Sequence, residues 1–204
     1  MTTAIEPFGE VDGTPVRRFV LASGALRIAV IEYGARLSEC VVADAAGQGT
    51  DVALGFDSLA DCLARGGSCG AICGRYGNRI AGAQFELAGT RYALSANEPP
   101  NHLHGGFRQF AKRVWRGEAL PGGTAVRFRL DSPDGEEGYP GNLRAEVTYA
   151  LEDERTLRLS MRATSDRDTY VNLIFHGYWN LGGHAGGTVD SHLLQAAAGS
   201  YLPV

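Results

Sequence analysis

Four of the five histidines of this chain lie in two short, glycine-flanked windows, at 101–106 (Asn-His-Leu-His-Gly-Gly) and at 175–184 (Phe-His-Gly-Tyr-Trp-Asn-Leu-Gly-Gly-His). A third window, at 74–80, reads Gly-Arg-Tyr-Gly-Asn-Arg-Ile. All three windows carry few charges. Because imidazole changes its protonation near neutral pH, it suits general acid–base catalysis. This layout predicts proton transfer on a polar, uncharged substrate.

His176 and His104 are the candidates for the proton-transferring groups. His176 lies in an apolar and aromatic segment, 171–181; the alternative to a catalytic role is a core histidine that bonds a backbone carbonyl. His104 follows two prolines and precedes two glycines, residue types that fix a loop and let backbone approach a ligand. His102 shares a face with it if the segment is extended, whereas in a loop only one of the two need point inward. Both could also be loop-surface residues.

Asn78 and Arg79 are the candidates for ligand binding in the third window. An amide and a guanidinium can offer several donors to sugar hydroxyls or to a carboxylate. The alternative is an arginine that caps loop carbonyls. The spacing Gly74-x-x-Gly77 matches neither a P-loop nor a dinucleotide-binding loop. Asp190-Ser191-His192 could be a carboxylate–histidine pair, but its place before an apolar run favours a structural role.

The elements that must position these residues are mostly strands. Period-two alternation of apolar residues predicts a mainly antiparallel β chain, a sandwich or a barrel. Predicted strands cover 26–31, 36–42, 84–87, 91–94, 125–130, 143–151 and 156–164. One short helix is expected at 58–65, capped by Asp57 or Ser58 and stopped by Gly66-Gly67. No linker interrupts the chain, so residues 1–204 are expected to form one domain, with 131–141 as a surface or functional loop.

Composition narrows the function classes. Of the 204 residues 44% are hydrophobic, and the net charge of −4 is spread without a basic stripe, so nucleic acid is not an expected partner. The sequence begins without a signal peptide and has no run near the ~20 apolar residues of a membrane span, which predicts a cytoplasmic protein with no membrane partner. Cys40, Cys62, Cys69 and Cys73 lack zinc-knuckle spacing, which predicts reduced, mostly buried thiols and no metal site.

The ordered motifs resemble the aldose 1-epimerase (galactose mutarotase) family. Five segments carry the resemblance: 74–82 (Gly-Arg-x-x-Asn-Arg-Ile), 101–106 (Asn-x-Leu-His-Gly-Gly), 138–143 (Gly-[Tyr/Phe]-Pro-Gly-x-Leu), 176–181 (His-x-Tyr-[Phe/Trp]-Asn-Leu) and 201–203 (Tyr-Leu-Pro). Any one of these motifs is weak, whereas five in the family's order are specific.

The resemblance implies a large antiparallel β-sandwich, the galactose mutarotase-like supersandwich, and interconversion of the α and β anomers of a free hexose such as galactose or glucose. It implies no cofactor, and a monosaccharide as the partner. Monomer and homodimer both stay open, since an incomplete sandwich could dimerise through an open sheet edge. By resemblance His176 is the general acid that protonates the ring oxygen, and His104 hydrogen-bonds the sugar near that oxygen. Asn78 and Arg79 bind hydroxyls, and Tyr178 contacts the substrate.

The resemblance covers roughly the first three fifths of the family pattern. The family's general base, a glutamate, and a sugar-binding aspartate lie beyond the part that 201–204 matches, so we expect a sandwich that is incomplete at its C-terminal end, with uncovered edges and apolar faces. Either the natural protein is longer, or a short protein recruits another base, for which Glu136 and Glu137 are candidates. The alternative function is a non-catalytic carbohydrate-binding protein on the same fold, and a structural role is the third option.

Overall fold

The N-terminal part of the chain builds one antiparallel sheet. The structure is a computed structural model that describes residues 2–200. Each strand of this sheet pairs with the next one along the chain. The strands are β1 (Thr2–Val11), β2 (Thr14–Ser23), β3 (Leu26–Ile31), β4 (Arg36–Ala43) and β5 (Gly49–Asp51). Two of them, β3 and β4, were predicted nearly to the residue, because their apolar side chains alternate along the sequence.

The predicted helix is present as α1 (Leu59–Arg65). Of the two possible caps it is Ser58 that acts, since its hydroxyl accepts a hydrogen bond from the Asp61 backbone N–H at 3.1 Å. Gly66 ends the helix and donates its N–H to the Cys62 carbonyl, in a right-handed conformation (φ −63°). The predicted stop is therefore correct, although Gly66 does not use the left-handed freedom of glycine.

Short paired strands make up the middle of the chain. They are β6 (Ile72–Cys73), β7 (Arg79–Ile80), β8 (Gln84–Leu87), β9 (Thr90–Ala93) and β10 (His102–Leu103). The hairpin of β8 and β9 was predicted, with its second strand displaced by one residue. The two-residue strands were not, because so short a segment shows no alternation.

A second antiparallel sheet follows, with its strands again in chain order. It contains β11 (Arg116–Ala119), β12 (Ala125–Ser132), β13 (Leu143–Leu151) and β14 (Leu157–Ser165), and the last strand of the described residues is β15 (Ile174–Phe175). Along β13 every second residue is buried. The alternation of side chains on a strand thus turns one face of this sheet toward the core.

The two sheets pack face to face. Phe19 of the first sheet meets Phe128 of the second edge to face, with ring centroids 5.5 Å apart. Leu21 and Ile28 from one side and Val147 from the other belong to the same buried cluster. The predicted all-β antiparallel sandwich is confirmed.

The four cysteines are all thiols, as predicted. Cys40, Cys62 and Cys73 are buried and Cys69 is half-buried, and burial raises the pKa of each thiol. They are therefore protonated at neutral pH. Among residues 2–200 no helix is long and apolar enough to cross a membrane.

Arg75 joins the loop after β12 to the middle of the chain. Its buried guanidinium donates to the carbonyls of Ser132 (3.0 Å), Pro133 (3.0 Å) and Pro140 (2.9 Å), and it lies over the Tyr139 ring. The loop at 131–141, predicted to be a surface or functional loop, is thereby anchored in the interior at one end of the sandwich.

We expect Arg75→Met to lower the free energy of unfolding by about 3 kcal/mol, because buried carbonyls left without donors cost ~1–3 kcal/mol each. Urea unfolding followed by circular dichroism measures the change. Arg91→Met is the matched control, since Arg91 is exposed and its guanidinium bonds the side chain of Gln84; its effect should stay within ~0.5 kcal/mol. Equal losses in the two variants would contradict the anchoring role of Arg75.

Candidate active site

Residues from the two histidine windows meet at one place in the structure. The rings of His104 and His176 face each other edge to face, with centroids 5.2 Å apart. The Tyr178 ring lies 5.2 Å from that of His176. Both histidines are half-buried, and Tyr178 is 48% exposed. A ligand can therefore reach all three side chains.

Backbone pairing places His176. The strand before it, β15, pairs with β6. His176 then donates its N–H to the Ala71 carbonyl (2.9 Å) and accepts from the Gly70 N–H (2.7 Å). Phe175 on the opposite face packs against the core Tyr149 ring. Alternation along this extended segment thus turns Phe175 toward the core and His176 and Tyr178 the other way.

Arg36 holds the segment against which His176 is paired. Its fully buried guanidinium donates to the carbonyls of Cys69 and Gly67, the latter at 3.0 Å. The backbone N–H of Leu37 continues the contact by donating to the Gly70 carbonyl at 2.9 Å. Sequence reasoning missed Arg36 because it lies in a strand and outside every motif. Only its charge, inside a segment predicted to be a strand, could have drawn attention to it.

His104 is cross-linked to Asn78 in two ways. Its backbone N–H donates to the Asn78 carbonyl (3.1 Å), and its ring Nδ1 accepts from the Asn78 backbone N–H (3.0 Å). Both residues have positive φ, 52° and 67°, a conformation that asparagine and histidine adopt more readily than most residues. Because a backbone N–H can only donate, Nδ1 must be unprotonated, and the ring proton of neutral His104 sits on Nε2.

Electrostatics favour the same neutral form of His104. Burial lowers its pKa, the neighbouring His176 and Arg79 lower it further, and Glu98 acts in the opposite direction. His104 is therefore a neutral hydrogen-bond donor through Nε2 at neutral pH, rather than a proton source.

His102 points into the protein. It is fully buried, and its ring nitrogens bond the Ser95 carbonyl (2.7 Å) and the Tyr139 hydroxyl (2.8 Å). The alternative that His102 and His104 both lie on a loop surface is wrong. The segment is extended only over β10, so the two side chains diverge after it.

Asn78 and Arg79 lie beside His104, and both are exposed. The Asn78 side-chain oxygen accepts from the Arg79 N–H at 2.9 Å. The Arg79 guanidinium binds the carboxylate of Glu98 through Nε (2.6 Å) and Nη2 (2.8 Å). Arg79 thus binds a carboxylate, whereas the alternative was an arginine that caps loop carbonyls. Glu98 was missed because nothing in the sequence pairs it with a residue nineteen positions away.

Glu136 and Glu137 serve the loops around the site. Glu136 binds Arg113 at 2.8 Å, and its side chain is 7% exposed. Glu137 accepts from the N–H groups of Phe107 (3.2 Å) and Arg108 (2.7 Å), just after the glycines that follow His104. The suggestion that either glutamate replaces the general base thus has no support in these contacts.

The fold and the site together define a class of protein: an antiparallel β-sandwich with two facing imidazoles beside an arginine at its surface. The family model described as aldose 1-epimerase matches residues 17–204. The chain is 42% identical over 199 residues to galactose mutarotase from Homo sapiens, covering 97% of this chain and 57% of that protein. It is 36% identical over 204 residues to aldose 1-epimerase from Escherichia coli K12, covering 100% and 57%. The chain belongs to the aldose 1-epimerase family.

Solved structures agree with this assignment. The chain resembles a galactose 1-epimerase from Lactobacillus acidophilus with a TM-score of 0.80 at 27% identity, covering 89% of this chain and 54% of that one. For an aldose epimerase homologue from C. elegans the TM-score is 0.73 at 26% identity, covering 88% and 51%. The chain thus spans a little over half the length of the relatives it matches. Of the five motif segments, 201–203 lies outside the described residues.

We expect nitrogen-15 spectra of imidazole-labelled protein to show neutral His104 as the Nε2–H tautomer. Its pKa should lie below the ordinary value of ~6.5, because burial and two neighbouring cations or potential cations disfavour a second proton. The same histidine in the urea-unfolded chain is the control and should titrate at its ordinary value. A dominant Nδ1–H form, or a pKa above that of the unfolded chain, would contradict the Asn78 hydrogen bond.

Proposed function

We propose that this protein is an aldose 1-epimerase that interconverts the α and β anomers of a free hexose of the galactose or glucose type. The observation that carries the proposal is that the rings of His104 and His176, two residues from separate family motifs, face each other with their centroids 5.2 Å apart. The names of the relatives, galactose mutarotase and aldose 1-epimerase, support the same reaction.

The reaction needs two proton transfers and one bond cleavage. A base removes the proton of the anomeric hydroxyl while an acid gives a proton to the ring oxygen, so the bond between C1 and that oxygen breaks without a free charged intermediate. Rotation about C1–C2 presents the other face of the aldehyde, and closure reverses both transfers. Positioned groups of this kind contribute ~10²–10⁴-fold each.

The residues divide this work by their surroundings. His176 is the acid that protonates the ring oxygen. His104, whose Nδ1 accepts a hydrogen bond from the Asn78 backbone N–H, is neutral and donates from Nε2 to an oxygen of the sugar. Asn78 and Arg79 offer their remaining donors to hydroxyls, and Tyr178 lines the site beside His176. By resemblance the base is a glutamate, which in the family pattern follows the part that this chain matches.

A carbohydrate-binding protein without catalysis is the second candidate. It is favoured by the state of the glutamates in the bordering loops: Glu98, Glu136 and Glu137 are each bound to arginine or to N–H donors. Each of these carboxylates is already engaged by donors of the protein, so none of the three stands free to accept the proton of an anomeric hydroxyl. We further propose that residues 1–204 form a single domain, that the protein is cytoplasmic, and that it is a monomer or a homodimer.

We expect the protein to accelerate mutarotation of freshly dissolved α-galactose and α-glucose, followed by polarimetry, and His176→Ala to lower that rate ~10²–10⁴-fold, because the ring oxygen loses its proton donor. His192→Ala is the matched control, since His192 lies outside the two windows; its rate should equal that of the unchanged protein.

The outcomes separate the candidates. Full activity in His176→Ala would refute the role of that residue. Saturable sugar binding by calorimetry, with no rate above that of buffer, would favour the carbohydrate-binding protein. If neither binding nor rate were seen at high sugar concentration, a structural role would replace both.

A further inference from the structure

Arg79 and Glu98 form a two-point ion pair at the edge of the site. Nε and Nη2 of the guanidinium each bind one carboxylate oxygen, at 2.6 and 2.8 Å. The side chains are 47% and 38% exposed. Such parallel bonding fixes the plane of the guanidinium as well as its position.

The backbone around Glu98 is fixed relative to Arg79. Glu98 and Asn101 exchange two backbone hydrogen bonds, of 3.1 and 2.7 Å. Arg79 pairs with Leu103 between β7 and β10. The Asn101 side chain also accepts from the Gly82 N–H, at 3.2 Å. The carboxylate and the guanidinium therefore project from two segments that are themselves hydrogen-bonded together.

We propose that Glu98 is a positioning and specificity-determining residue, which orients Arg79 and reserves it for the hydroxyls of neutral sugars. This inference rests on the proposed function and extends it to the substrate class. Glu98 occupies Nε–H and one N–H of Nη2, so the donors of Nη1 and the other N–H of Nη2 are left for a ligand. Hydroxyls can use these donors. The free Nη1–H and the second Nη2–H also lie parallel and could pair with a carboxylate, so discrimination against an anionic ligand depends on the charge of Glu98.

Charge works in the same direction. The Glu98 carboxylate offsets the positive charge of Arg79 next to His104, whose own ring is neutral. An anionic sugar would meet a negative charge beside every donor of Arg79, and that repulsion disfavours its binding. A neutral sugar is not affected by it.

The test uses four variants: Glu98→Gln, Arg79→Met, the double variant, and Glu152→Gln. The last is the matched control, because Glu152 makes a similar exposed two-point pair with Arg158 in the turn between β13 and β14. Dissociation constants for galactose and for galacturonate are measured by calorimetry, and KM and kcat by polarimetry. Binding is an equilibrium readout, so it does not depend on turnover.

We expect Glu98→Gln to weaken galactose binding about threefold to fivefold, and to tighten galacturonate binding by a similar factor, the small effect of an exposed pair. KM should rise with galactose while kcat changes less. Glu98→Gln should have no further effect on galactose in the Arg79→Met background, and Glu152→Gln should leave both sugars unchanged.

Opposite shifts for the two sugars are a result that general destabilisation would not produce. The proposal is overturned if Glu98→Gln weakens both sugars alike, or if its effect persists without Arg79. Absence of mutarotation in the unchanged protein would overturn the proposed reaction alone, since the binding comparison still applies. Absence of binding to either sugar would overturn both.

Discussion

The site depends on the hydrogen bonding of one segment, 70–80, to two distant parts of the chain. At one end Gly70 and the residue after it exchange backbone hydrogen bonds with His176. At the other end Asn78 bonds both the backbone and the ring of His104. A change in either register would separate the two imidazoles, because each is fixed through its own backbone. The structure therefore needs rigid support behind this segment, and the buried Arg36 and Arg75 provide it.

That support explains why the motifs contain residues that never reach the site. Arg75 binds carbonyls of the loop 132–140, and His102 binds the Tyr139 hydroxyl. Residues from three of the family segments thus meet in the interior, behind the segments that carry Asn78 and His104. The Arg75 guanidinium, the His102 ring and the Tyr139 hydroxyl each have hydrogen-bond partners there, which is what makes such a network rigid rather than destabilising.

Alternation in the sequence predicted strands such as β3 and β13, because a half-buried strand records its two faces directly. The ten-residue strands β1 and β2 were not predicted. A local capping pattern predicted α1 from Ser58. The two-residue strands next to His104 and His176 show no alternation in the sequence, since pairing with distant segments sets their position. The family resemblance, through the order of its motifs, led us to expect His104 and His176 in one site. Nothing local in the sequence indicated that Glu98 would bind Arg79 or that His102 would turn inward.

The charges of the site are balanced locally, and this limits what the site can bind. Arg79 is a cation that lowers the pKa of His104, and its charge is met by Glu98. The His104 ring stays neutral because Asn78 donates to Nδ1 and burial opposes a second proton. What the site offers a ligand is thus a set of directed donors with little net charge. Directed donors discriminate by the geometry of hydroxyls, whereas a net positive charge would favour any anion. The proposed ligand, a free sugar, has many hydroxyls and no charge, which accords with this balance.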